Sequence, residues 1–142
     1  MTIPDKVPEG WKAVRIGGFM GKIGPLLRST QIDEKNIYGL QTTDDHKNHI
    51  GLIHGGVLTS LLDQVVALVA WNAADRQPTV TVQMDTQFLG SARSGDFLKA
   101  RANIRHSTRS LIFVDAEISC SDGLVACASA IMKISRNSGQ ST

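Results

Sequence analysis

The chain of 142 residues is poor in the residue types that mark specialised proteins, with two cysteines, four prolines and 5% aromatic residues. Neither Cys120 nor Cys127 lies in a C-x-x-C or Cys/His zinc spacing, and two cysteines cannot build a disulfide framework. The net charge of +2 is too small for the field on which nucleic-acid binding depends, and few aromatics are available to stack on bases. A disulfide scaffold, a zinc domain and a nucleic-acid-binding protein are therefore excluded.

No segment is apolar for long enough to indicate a membrane span. Polar residues interrupt the longest apolar segment, residues 57–74, and Asp63 near its centre makes insertion into a membrane costly. The first residues include Asp5 and Glu9 and lack the apolar core of a secretory signal. We therefore expect a cytoplasmic protein without a membrane partner.

Length and composition predict one globular domain over residues 1–142. At about 100 to 200 residues per domain the chain holds one folding unit. Its 42% hydrophobic and 20% charged residues are typical of a soluble protein. The polar residues 136–142 are expected to fray.

Residues 55–72 form the most distinctive segment. Leu and Ala dominate, Pro is absent, and apolar positions cover nearly the whole helical circumference, which predicts a buried helix of about 27 Å. Shorter apolar runs at residues 23–27 and 37–40 predict strands, and the polar residues 42–48 predict a loop.

After Pro78 the sequence predicts strands. Four runs alternate apolar with polar residues: 79–88, 97–105, 111–120 and 124–135. In the first run the apolar residues Val80, Val82, Met84 and Phe88 alternate with polar ones, and Thr81 is among the polar positions.

Turn geometry predicts how the last three runs pair. A hairpin loop at residues 121–123, with Gly123 left-handed, gives four pairs on one apolar face: Ile118–Ala126, Ala116–Ala128, Val114–Ala130 and Ile112–Met132. The same construction around residues 107–109 places Ala102 opposite Val114. The result is an α+β architecture, an antiparallel sheet wrapped around one long central helix, and it resembles the hotdog fold.

The sharpest local feature is the segment Asn48-His-Ile-Gly51-Leu-Ile-His54-Gly55-Gly56, which leads directly into the predicted helix. Paired glycines allow a ligand to approach the backbone, and the first N–H groups of a helix are unsatisfied donors with partial positive charge. The N–H of Gly55 could stabilise an oxyanion that forms on a substrate carbonyl. The segment therefore predicts a site for an anion or an oxyanion.

Asp63 is the only charged side chain in the predicted helix. An ionised carboxylate among apolar residues is costly unless it has a partner, so a function is suspected where that cost is tolerated. A structural role remains equally open, in which Asp63 bonds to Thr59 one turn back or to a buried water molecule.

These residues together resemble the hotdog-fold acyl-CoA thioesterases of the phenylacetate-degradation type. The resemblance rests on His54-Gly55-Gly56, on Asn48 and Asp63 at their spacings from it, and on Thr-Val-Gln-Met in the following strand. The opening segment Phe19-Met-Gly-Lys-Ile-Gly-Pro is similar to that of the family as well. The resemblance to this family implies hydrolysis of an aryl- or medium-chain acyl-CoA to a free acid and coenzyme A.

The resemblance also implies roles for individual residues. Asp63 would be the nucleophile or the general base, and Gly55 the donor to the thioester carbonyl. Asn48 and His54 would lie near that carbonyl and the sulfur, and Thr81 beside the attacking water. The site would be shared between the subunits of a homodimer or tetramer.

Three further residues are assigned to substrate binding. Gly56 follows from the glycine pair at the helix start, and the turn at Arg109 and Ser110 could reach the phosphates of coenzyme A. Ordinary surface arginines are the alternative for that turn.

Neither a metal nor a cofactor is expected. The spacing of His46, His49 and His54 fits no metal motif, and no G-x-S-x-G segment indicates a serine hydrolase. A thioester needs little acid assistance, because a thiol with a pKa of about 8.5 leaves readily. Two other functions remain open: a non-catalytic acyl-CoA-binding or sensor protein, and a hotdog hydratase or dehydratase.

Overall fold

The computed structural model describes residues 7–135, and the expected frayed tail at residues 136–142 lies outside them. Helix α1 spans Gly18–Ile23, α2 spans Gly55–Ala73, and Asp44–His46 form a short 3-10 turn. The strands are β1 Trp11–Val14, β2 Leu26–Ser29, β3 Ile37–Gln41, β4 Thr79–Phe88, β5 Phe97–Ser107, β6 Leu111–Cys120 and β7 Gly123–Ile134.

The strands form one antiparallel sheet of seven in the order β1-β2-β3-β5-β6-β7-β4. Helix α2 lies on one face and contacts β4, β5, β6 and β7. Six of the buried side chains on this face of the sheet are small, which lets the helix approach closely at those positions; they are Ala100, Ala102, Ala116, Ala126, Ala128 and Ala130. The predicted architecture, an antiparallel sheet around one long helix, is confirmed.

The predicted helix is confirmed at nearly its predicted bounds, but the expectation that it is buried all round is wrong within one chain. Its buried residues share one side: Leu58, Leu61, Leu62, Val65, Val66, Val69 and Ala70. Gly56 and Trp71 lie on the other side, Asp63 lies at its border, and all three are exposed. By length and composition alone α2 could also cross a membrane. Its packing against the sheet identifies it as a core helix instead.

The two hairpins differ in how well their register follows from the sequence. All four predicted pairs between β6 and β7 are confirmed. The predicted pairing of β5 with β6 is wrong by two residues, because Ala102 lies opposite Ala116 and not Val114. The turn lies further along the chain than predicted, with Ser107 opposite Ile112, and a bulge at Arg105, between Ile104 and His106, then changes the register by one. Beyond the bulge the net shift is two, which keeps Ala100, Ala102 and Ile104 on their predicted face, so the apolar face survives.

The first third of the chain departs most from prediction. Strand β1 was not predicted, and the predicted strand at residues 23–27 is wrong in its first half, because α1 ends at Ile23 and β2 begins at Leu26. The predicted strand at residues 37–40 is confirmed by β3, and the predicted loop at residues 42–48 contains the 3-10 turn.

Gly39 in β3 gives a test of this packing. A Cβ at Gly39 would overlap the ring of Phe97 and lie 3.2 Å from Trp11 Cζ3. We expect Gly39→Ala to lower the free energy of unfolding by about 1–3 kcal/mol, because overpacking forces these rings to move. Urea unfolding at one fixed protein concentration measures the effect.

Gly17→Ala is the matched control, since a Cβ there meets no atom within 4 Å. Gly17 is the N-cap of α1, where glycine is preferred to alanine, so the free energy of unfolding of this variant should fall by at most about 1 kcal/mol, without any overlap of side chains. Equal losses in the two variants would contradict the packing described for Gly39.

Candidate active site

At the start of helix α2, the N–H groups of the two glycines differ in their hydrogen bonding. His54 is the N-cap, and its Nδ1 accepts a hydrogen bond from the N–H of Gly56 at 2.7 Å. A Cβ at Gly56 would lie 2.9 Å from that Nδ1, so the ring can fold over the helix end only because residue 56 is glycine. Within residues 7–135 the N–H of Gly55 has no acceptor. The cap thus uses one donor and leaves the other open.

Asn48 shapes the short hairpin that leads to this helix. Its Oδ1 accepts from the N–H of Ile50 at 3.0 Å and from that of Leu52 at 3.1 Å. Gly51 has a φ of +93°, which favours glycine at the tip. A bridge between Lys47 and Ile53 closes the hairpin. Within one chain the side-chain oxygen of Asn48 therefore builds the loop, and its amide NH₂ is the part left for a substrate.

Asp63 and Thr81 are brought together, as the resemblance implied. The Thr81 hydroxyl donates to Asp63 Oδ1 at 2.8 Å. The predicted alternation placed Thr81 on the face of β4 away from the apolar residues, and this is wrong. A bulge at Val82, where the β4–β7 register shifts between Thr81 and Gln83, turns Thr81 toward α2.

The sequence predicted that Asp63 is buried. Within a single chain this is wrong, because the side chain of Asp63 is exposed. Asp63 lies at the border of the buried side of α2, where the edge strand β4 still reaches it through Thr81. The structural alternative, a bond to Thr59, is not found, since the hydrogen-bond partner of Asp63 is Thr81. The carboxylate is therefore accessible, and it is held from one side.

One chain cannot bring Asp63 and Gly55 to the same substrate atom. The two residues are eight positions apart on one helix, which at about 1.5 Å per residue separates them by roughly 12 Å. An attacking group and an oxyanion donor must both lie about 3 Å from the reacting carbonyl. The structure thus brings Asp63 to Thr81, and His54 to Gly55 and Gly56, as two separate halves.

The turn with Arg109 and Ser110 lies at the same end of the sheet as Thr81. Ser107, Ile112, Met132 and Thr81 are successive partners across β5, β6, β7 and β4. Ser107, at the end of β5, is therefore about three strand spacings, or roughly 14 Å, from Thr81. Ser110 is nearer to β4, because its carbonyl oxygen accepts from the N–H of Ile134 in β7 at 2.8 Å, and β7 is the strand that pairs with β4. Both residues of the turn are exposed.

His46, His49 and His54 do not form a cluster that could bind a metal ion. Residues 7–135 contain no cluster of three or more His, Cys, Asp or Glu side chains that could hold a metal. His49 and His54 are exposed, whereas His46 is buried. Beside His46, a hydrogen bond from Ser94 and the charge of Lys47 lower the pKa of Asp44 below its usual value.

Three features of the site were not predicted from the sequence: the burial of His46, the bulge at Val82, and the ring of Phe88. A Cβ at Gly55 would lie 3.5 Å from that ring. The pattern Thr43-x-x-His46 at a turn was a usable signal, because it forms a capping box here. No local pattern marks the bulge or the placement of Phe88.

The sequence model of the thioesterase superfamily matches residues 50–127, which include α2 and most of the sheet, and the chain belongs to that family. Its fold is the hotdog fold of such thioesterases, as predicted. The matched segment contains every proposed site residue except Asn48.

Two relatives are similar over most of the chain. The Pseudomonas aeruginosa protein PA0474, named as an esterase, is 29% identical to this chain, over 90% of this chain and 97% of its own length. Human acyl-coenzyme A thioesterase 13 is 24% identical over 70% of this chain and 71% of its own.

Solved structures share the fold. A Ralstonia eutropha JMP134 protein, described as a phenylacetic acid degradation-related thioesterase, is 27% identical with a TM-score of 0.71, over 85% of this chain and 92% of that one. A Streptococcus pneumoniae TIGR4 thioesterase solved with coenzyme A has a TM-score of 0.67 and 21% identity, over 89% and 87%.

The two glycines should respond differently to alanine. Gly56→Ala would bring a Cβ within 3.2 Å of both His54 Nδ1 and Cε1, displace the ring and lose the cap, at a cost of about 0.5–2 kcal/mol in the free energy of unfolding. Gly55→Ala meets only ordinary contacts and should cost less. Thermal or urea unfolding measures both.

The same pair of variants in a His54→Ala background provides the control. Without the ring there is no cap to displace, so Gly56→Ala should lose its extra cost there. An equal cost in both backgrounds would contradict the assigned role of Gly56.

Proposed function

We propose that this protein hydrolyses acyl-CoA thioesters, with aryl- or medium-chain acyl groups as substrates, to a free acid and coenzyme A. The observation that carries the proposal is the hydrogen bond from the Thr81 hydroxyl to the accessible carboxylate of Asp63. Asp63 lies on α2, and the first N–H group of that helix has no acceptor among residues 7–135. The names of the relatives and the coenzyme A bound to the pneumococcal protein support this substrate class.

The arrangement suits attack by water on a thioester. Thr81 donates to one carboxylate oxygen of Asp63, which fixes the carboxylate and leaves the other oxygen to accept a proton from water. The oxyanion would receive the N–H of Gly55, and the thiolate of coenzyme A leaves without a strong acid. Direct attack by Asp63, through an anhydride, uses the same geometry. His54 and the amide of Asn48 would lie beside the carbonyl and the sulfur.

We further propose that the protein is a homo-oligomer whose active site combines two chains. Asp63 and Gly55 are too far apart in one chain to act on one carbonyl, so the donor must come from a partner. Strand β4 is an edge strand with unusual apolar exposure: Val80 is 53% and Val82 56% exposed. Together with the exposed side of α2, it provides a surface that a second copy can bury.

Substrate contacts and location complete the proposal. The N-terminal end of α2 at Gly56 would face the thioester, and the exposed turn at Arg109 and Ser110, at the same end of the sheet as Thr81, would contact the phosphates of coenzyme A. The free thiols of Cys120 and Cys127 suit a reducing compartment, which favours the cytoplasm.

Two other functions predict different products. A hydratase or dehydratase would add or remove water at a carbon–carbon double bond, which an enoyl thioester reports by absorbance. A sensor would bind acyl-CoA and release no thiol. The pairing of Asp63 with Thr81 favours hydrolysis, because a binding protein does not require an exposed carboxylate fixed by a hydroxyl.

Replacing the carboxylate should abolish hydrolysis. Asp63→Asn should lower kcat at least about 100-fold, because the amide cannot accept a proton from water. The fold should persist, since the amide oxygen can still accept from Thr81. Release of free thiol from a panel of aryl, medium-chain and long-chain acyl-CoA substrates, followed with a thiol-reactive dye, measures turnover.

Asp85→Asn is the matched control, because Asp85 is exposed on the same strand but lies opposite Ser129, on the face away from α2. Its kcat should stay within about twofold of the wild type. Full turnover by Asp63→Asn on every substrate would reject Asp63 as the base or nucleophile.

A mixed oligomer tests whether two chains share one site. Proline is accepted at the first position of a helix and has no N–H. Gly55→Pro should therefore remove the oxyanion donor with little loss of stability and lower kcat about 100- to 1000-fold. In hybrids of Gly55→Pro with Asp63→Asn, one of the two sites contains a native Asp63 and a native Gly55 from different chains.

After random exchange of subunits, such a mixture should recover about one quarter of wild-type activity. Gly55→Ala is the control that keeps the N–H. If subunits exchange, as mass spectrometry would record, and no activity returns, the shared site is wrong.

A further inference from the structure

His46 is buried beside Lys47, at the base of the hairpin that carries Asn48. It is 5% exposed, and few other side chains with polar atoms are buried among residues 7–135; they include Ser29, Thr42 and Tyr38. A buried imidazole is costly unless both nitrogens have hydrogen-bond partners. The partners of His46 therefore indicate why it is there.

Both ring nitrogens of His46 are bonded to backbone groups. Nδ1 accepts from the N–H of Thr43 at 2.9 Å, and Nε2 lies 2.6 Å from the carbonyl oxygen of Ile23. Because an N–H only donates and a carbonyl only accepts, the ring is neutral and carries its proton on Nε2. It joins the last residue of α1 to the start of the 3-10 turn.

The backbone of His46 continues this connection to the helix start. Its carbonyl oxygen accepts from the N–H of His54 at 2.9 Å. His54 directly precedes Gly55, and its side chain holds the N–H of Gly56. A continuous path thus runs from α1 through the ring and carbonyl of His46 to the residue that sets the direction of the Gly55 N–H.

We propose that His46 is a positioning residue that holds the open N–H of Gly55 in place by tying the segment around His54 to α1. The inference rests on the proposed function, in which that N–H stabilises an oxyanion. A donor displaced by about 1 Å stabilises the transition state much less, while binding of the remaining substrate is unchanged. The effect of His46 should therefore fall on kcat and not on KM.

Two substitutions separate the hydrogen bonds of His46 from its volume. His46→Leu keeps an apolar body of similar size and loses both bonds, whereas His46→Gln places an amide nitrogen as many bonds from Cβ as Nε2 and can still donate to Ile23. We expect His46→Leu to lower kcat at least about tenfold with KM within about twofold. His46→Gln should restore kcat to within about threefold of the wild type.

A second readout does not depend on activity. The ¹H–¹⁵N resonance of the Gly55 amide should move in His46→Leu and return toward its wild-type position in His46→Gln. If His46→Leu does not fold, His46→Asn replaces it. Asn can accept from Thr43 but cannot reach Ile23, so its kcat should be below that of His46→Gln.

Ser29→Ala is the matched control for the loss of a buried polar group. The Ser29 hydroxyl donates to Glu34 Oε1 at 2.6 Å and accepts from the N–H of Gln31, away from the hairpin. This variant should lower the melting temperature and leave kcat and the Gly55 resonance unchanged. If the folded variant that lacks the Ile23 bond, Leu or Asn, has wild-type kcat and an unmoved Gly55 resonance, His46 is not a positioning residue.

The two proposals fail separately. If the wild type releases no thiol from any acyl-CoA, the proposed function is wrong, and the Gly55 resonance alone still decides the role of His46. If the wild type is active and neither kcat nor the resonance responds to His46, only the positioning role is wrong.

Discussion

The packing of α2 against an alanine-lined sheet is the constraint on which the rest of the molecule depends. Because alanines alternate with larger apolar side chains on this face of the sheet, the Leu and Val side chains of the helix fill the space above the alanines and fix which side of the helix faces inward. The opposite side of the helix is then exposed, and solvent or another molecule can contact it. The accessibility of Asp63 is thus a consequence of how the core is filled, and not a local defect in it.

The start of α2 shows how a capped helix can retain one usable donor. A side-chain cap normally reduces the number of open N–H groups at a helix end. Here the ring of His54 folds back onto Gly56, and this leaves the preceding N–H free while it stiffens the turn that carries it. The pair of glycines therefore combines a steric requirement at one position with an open donor at the other, and the two cannot be exchanged.

Local patterns in the sequence predict most of the fold and about half of the site. Hydrophobic periodicity locates α2, and turn chemistry at Gly123 sets the β6–β7 register, because both depend on neighbours in the chain. The bulges at Arg105 and Val82 depend on how whole strands meet, so alternation alone misplaces Thr81. The single-chain exposure of Asp63 follows from which helix face the sheet covers, and the burial of His46 depends on α1, some twenty residues earlier.

The bulge at Val82 has an effect beyond the orientation of Thr81. An edge strand with apolar side chains is a template onto which any extended peptide can add, and regular hydrogen-bonding spacing makes such addition indiscriminate. An inserted residue breaks that spacing, so a strand that adds to β4 must match the interruption in order to pair along its length. The irregularity that aims a hydroxyl at the carboxylate thereby also protects the chain against aggregation through its exposed edge.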